Sequence, residues 1–67
     1  GEIKGKVLNV SKNQLKLRVQ TREGIYTLTI ADDVDLDDEI DDLQDIVGKK
    51  VELEIKKGKV VELEIEG

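Results

Sequence analysis

The chain has no cysteine, histidine, proline, methionine, tryptophan or phenylalanine, and Tyr26 is its only aromatic residue. Each absence closes off a class of chemistry. Without Cys and His there is no ligand set for zinc, haem or an iron–sulfur cluster, and no thiol nucleophile. Neither a disulfide nor a structural metal can staple a chain of 67 residues, a size that buries only roughly 60% of its unfolded surface. The hydroxyls of Ser11, Tyr26 and the threonines have no imidazole to activate them. The six glycines are isolated from one another, so no phosphate-cradling loop exists. No apolar run approaches the ~18 residues of a membrane span. Residues 1–10 alternate like a strand and show no targeting signal. The sequence therefore predicts a soluble, non-enzymatic protein that needs no cofactor, metal or membrane. Its location would be cytoplasmic in recombinant expression.

What remains is a narrow alphabet. The hydrophobic 37% is nearly all Val, Ile and Leu, and charged residues reach 40%, against ~25% in an average domain. Branched aliphatics under a dense charged surface are what rules for building proteins from first principles recommend. Composition thus points to a designed chain.

Two hydrophobic periods organise it. In 2–10, Ile3, Gly5 and Val7 share one face, after which Leu8 and Val10 fall on the other. Such a phase flip marks a bulge or a strand bending round a corner, and Gly5 permits sharp coiling. Strand 14–21 puts Leu15, Leu17 and Val19 inward, and strand 25–30 does the same with Tyr26, Leu28 and Ile30. Leu36, Ile40, Leu43 and Val47 then follow at i, i+4, i+7 and i+11, with Ile46 widening the stripe. That spacing predicts an amphipathic helix, with Asp35 or Asp37 as N-cap and Gly48 just past its end. Two further strands place Val51, Leu53 and Ile55, and then Val61, Leu63 and Ile65, inward. The order is β-β-β-α-β-β in one domain, 1–67. Its fold class is mainly β: a five-stranded closed barrel with one helix between strands three and four. The flip after Val7 predicts that strand one pairs with strand two at one end and strand four at the other, which closes the barrel.

This order of elements resembles the OB fold, and the idealised turns look like those of de novo designed small barrels. An SH3-like barrel would not carry a helix at that place. The resemblance implies a ligand face across strands two and three, flanked by the loops joining strands one and two and strands four and five. On this chain that face carries Lys16 and Arg18, with Lys12, Lys56, Lys57 and Lys59 in the flanking loops. Such a cationic surface would attract single-stranded nucleic acid weakly, as an oligonucleotide binder of that family would. Stacking on aromatic side chains is the missing ingredient, because Tyr26 shares parity with Leu28 and Ile30. The principal expectation is therefore a monomeric structural scaffold with no native ligand, and oligonucleotide binding is the alternative.

Charge is segregated. Residues 1–31 carry a net +4, residues 32–47 a net −9 and residues 48–67 none. Asp33, Asp35 and Asp37 share the first spacings of a calcium loop, but Asp38 stands where that loop needs Gly and Gln44 where it needs Glu. As a helix, the segment would carry like-charged i,i+4 pairs at Asp37/Asp41, Asp38/Asp42 and Asp41/Asp45. The helix reading therefore expects lysine at positions 42 and 45 to stabilise the fold.

Overall fold

A computed structural model describes residues 1–66 and turns the alternating segments into five strands of one sheet. They are β1 (Glu2–Val10), β2 (Lys16–Thr21), β3 (Gly24–Leu36), β4 (Lys50–Lys56) and β5 (Lys59–Ile65). The sheet closes into a ring in the order β1-β2-β3-β5-β4. Every pairing is antiparallel except β3 with β5.

Closure depends on β1 having two neighbours, as its phase flip predicts. Glu2 to Lys6 pair with β4, and Lys6 to Val10 pair with β2. The changeover needs Gly5. A Cβ there would run into the Gln20 carbonyl oxygen and come within 2.8 Å of Val19 Cγ2. Val7 pairs with Val19 and Asn9 with Arg18, so Leu8 is the extra residue of a bulge. The bulge restores Val10 to the interior.

A second bulge breaks the expected parity of β5. Glu54 pairs with Glu62 but Ile55 with Val60, which leaves Val61 as the extra residue. Val60 is consequently buried and Val61, expected inside, is half-buried. The interior holds Val7, Val10, Leu17, Val19, Ile30, Val51, Leu53, Val60 and Leu63, with Ile3, Leu28, Leu36, Ile55 and Ile65 packed against it. No polar side chain is buried among the described residues.

Three residues expected inside are not. Leu15, Tyr26 and Val47 are 48%, 41% and 44% exposed. Leu15 precedes β2 and belongs to a turn that Gln14 enters at φ 59. Its N–H donates to Ser11 Oγ and Asn13 Oδ1. Tyr26 keeps its inward parity, but β5 joins β3 only from Thr29 onward, so no strand flanks it on that edge.

The expected helix does not form. β3 instead runs on for 13 residues to Leu36. Asp35 and Leu36 pair with Glu62 and Leu63 of β5, and this uses the backbone that would have started the helix. The next residues are poor helix formers bearing repulsive i,i+4 aspartates. They fold into one turn, closed by Ile40 N–H donating to Asp37 O, and a 3-10 turn, Leu43–Ile46. The hydrophobic stripe still does its work: Ile40, Leu43 and Ile46 are buried in the core cluster. Asp37 caps the first turn through Glu39 N–H and also accepts from Ile65 N–H. Asp42, not Asp35 or Asp37, is the cap of the 3-10 turn, accepting from Gln44 N–H at 2.9 Å and Gln14 Nε2 at 3.2 Å. Lysine at 42 would remove these bonds, so the stabilisation expected from a helix is overturned. Among the described residues no helix is long and apolar enough to cross a membrane.

Replacing Leu17 or Leu53 with alanine should cost about 2–5 kcal/mol, and Gly5→Ala about 1–3 kcal/mol, measured by urea denaturation. Asp42→Ala should cost about 1 kcal/mol by loss of the cap. Asp42→Lys should destabilise too, the opposite sign to the helix expectation, and thermal melts at low ionic strength read that sign directly.

Candidate nucleic-acid interface

The outward face of β2 and β3 gathers the cations singled out in the sequence. Lys16 is opposite Thr29, and Thr29 is opposite Lys59, so the three form one row across three strands. Adjacent strands lie ~4.8 Å apart, which puts Lys16 and Lys59 within reach of neighbouring phosphates. Arg18 lies in the next row, between Asn9 of β1 and Thr27 of β3. Lys12 sits in the exposed turn between β1 and β2. Lys57 and Gly58 form the two-residue β4–β5 turn with φ of 53° and 76°, the geometry of a type I′ hairpin. That turn sets Lys56 directly opposite Lys59. Lys56, which the sequence already places in that loop, therefore stands beside Lys59 in the cluster.

Two features oppose phosphate binding. The 3-10 turn is tied to the Lys12 turn: Gln44 Nε2 donates to Val10 O and Ser11 O, and Asp42 accepts from Gln14. This anchors Asp41, Asp42 and Asp45 at one end of the cationic face. The stacking platform is also absent, since Tyr26 alternates onto the side of the sheet opposite Arg18 and Thr27.

The hydroxyls of Ser11 and Thr21 serve turns. Ser11 Oγ donates to Asn13 Oδ1 at 2.6 Å and accepts from Leu15 and Lys16 N–H, and Thr21 Oγ1 donates to Gly24 O. Among the described residues no three carboxylates converge on a point that could hold a metal ion. Asp37, third in the calcium-like spacing, is occupied by two backbone N–H groups.

The opposite side of the ring is acidic. Glu52 faces Glu64 and Glu54 faces Glu62 across β4–β5, while Glu2 faces Glu54 and Asp35 faces Glu62. Lys4 Nζ lies 3.8 Å from Glu52, and the Gly1 amine 3.3 Å from Glu54. Hydrogen bonding to Glu62 and its charge raise the Glu64 carboxyl above the ordinary value of 4.5. Glu52 acts in the same way on Glu2.

A carboxyl raised in the folded state gives stability that is full below the unfolded value of 4.5 and is lost as pH rises through the folded value. The urea midpoint should therefore climb as pH falls from neutrality toward 4.5. Glu64→Gln should raise the midpoint at pH 7 and flatten that climb; an unchanged slope would show that these carboxylates do not feel one another.

Compared with protein-family models, curated proteins and solved structures, the chain matches none.

Proposed function

We propose that this chain is an OB-type barrel of designed origin and that its role is structural, a scaffold without a ligand or activity of its own. One observation carries this reading. The interior of the ring is filled by Val7, Leu17, Val19, Val51, Leu53, Val60 and Leu63, each no more than 1% exposed. Side chains packed in this way leave the ring a solid core, as a barrel this small requires. The ring order, with β1 closing on β4 and β5 parallel to β3, supports the OB assignment. The 3-10 turn in place of a helix departs from the pattern that assignment implies. The residue alphabet and the two-residue turns support a designed origin.

The second reading, weak binding of single-stranded nucleic acid, draws on the row Lys16–Thr29–Lys59 and on Arg18 beside it. Its phosphate contacts would be lost with salt, as counterion release requires. Titrating a labelled oligothymidine with the protein at low salt separates the two. A scaffold gives no saturable change up to about 100 µM protein, a level at which non-specific binders already associate. A saturable curve that weakens with salt and disappears in the double variant Lys16→Glu, Lys59→Glu would replace the scaffold reading with the second.

A further inference from the structure

The longest uncharged stretch of the chain is 24–31, and it lies on β3. Its first half has one neighbour only. β2 pairs with β3 from Gly24 to Thr29, whereas β5 joins the other edge first at Thr29, opposite Lys59. Ile30 N–H donates to Leu15 O at 2.8 Å, on the β2 side. Alternation along the antiparallel ladder then turns the even-numbered backbone groups toward β2 and those of Ile25 and Thr27 outward, to the open edge. Ile25 and Tyr26 are 51% and 41% exposed there. Free edges are usually blunted by charge, proline or a bulge. The later part of β3 has such charges in Asp32, Asp33 and Asp35, but 24–28 has none.

We propose that this edge pairs with the same edge of a second copy, antiparallel about a twofold axis through Tyr26. In that register Ile25 lies opposite Thr27 of the second copy, and Thr27 opposite its Ile25. Both are residues whose N–H and C=O point outward, so each pair exchanges two hydrogen bonds. Tyr26 meets its own counterpart at the non-hydrogen-bonded position, where side chains approach most closely. Gly24 lies opposite Leu28, and the pairing ends where β5 begins. The Arg22–Glu23 turn of each copy abuts the Lys57–Gly58 turn of the other. There the Glu23 carboxylate faces Lys57 and Lys59, offsetting the cation of Arg22. Each chain carries a net −5, which opposes association at low salt. A foreign strand would use the same backbone groups, but the edge offers no charge to select one, whereas a second copy matches it by symmetry. The interface falls short of the ~1,200 Å² of a stable complex. The dimer is therefore weak and concentration-dependent, and it replaces the monomer expected from the sequence.

Sedimentation equilibrium from about 10 µM to about 2 mM, a range that brackets a weak dimer, tests this together with amide hydrogen exchange. The expected result is a monomer–dimer equilibrium that strengthens with salt. The amides of Ile25 and Thr27 should gain protection with concentration while those of Tyr26 and Leu28 stay unchanged. Ile25→Lys should weaken the association at least tenfold, and Thr27→Lys gives the same reading should the first variant fail to fold. A parent monomeric throughout the range overturns the proposal. So does a dimer untouched by lysine at these positions, or one whose new protection falls on other strands.

Discussion

β1 has to serve two neighbours at once, and the rest of the ring depends on how it does so. A flat strand presents one edge to each side along its whole length. Here the first half of β1 is spent on β4 and the second on β2, with Lys6 shared. Two local devices permit this. At Gly5 the backbone passes so close to Gln20 that no side chain fits, and at Leu8 an added residue resets the alternation. Without the first, β1 could not coil; without the second, Val10 would face water. Closure then removes the free edges of β1 and β4, and the core forms between walls already fixed in register.

The same closure sorts the charges. Outward positions on β2 and at the β4–β5 turn are cationic, and those in the middle of β4 and on the rest of β5 are acidic. Because Glu52 pairs with Glu64, Glu54 with Glu62 and Lys56 with Lys59, like charges stand directly opposite one another, which costs stability. The acidic side records that cost in the raised carboxyls of Glu2 and Glu64. The acidic 3-10 turn is fastened beside the cationic face by side-chain hydrogen bonds, which holds the attraction of that face for anions in check.

The end of the ring is covered without a helix. Ile40, Leu43 and Ile46 reach the core from a turn and a 3-10 turn, which the Asp37 and Asp42 side chains hold by accepting from Glu39 and Gln44 N–H. Hydrophobic spacing constrains which side chains go inside more tightly than it constrains the backbone that delivers them. A stripe at helical intervals also suits successive tight turns, and the repulsion among aspartates tips that choice away from the α-helix.

Several features were legible from residue order alone: the five strands, the bulge after Val7, the split pairing of β1 and most of the core. These follow from period-two alternation, from turn residues and from one phase flip, all local signals. The cations of the candidate face were legible for the same reason, since Lys16 and Arg18 alternate outward on one strand. Other features were decided in three dimensions. Parallel pairing of Asp35 and Leu36 with β5 drew β3 through the stretch that reads as the start of a helix. The bulge at Val61 exchanged it for Val60, although both are valines and give no contrast to read. Tyr26 stayed exposed because β5 begins only opposite Thr29. In each case the deciding quantity is where one strand stands relative to another distant in sequence. Alternation says which way a side chain points, and only the assembled sheet says whether anything is there to meet it.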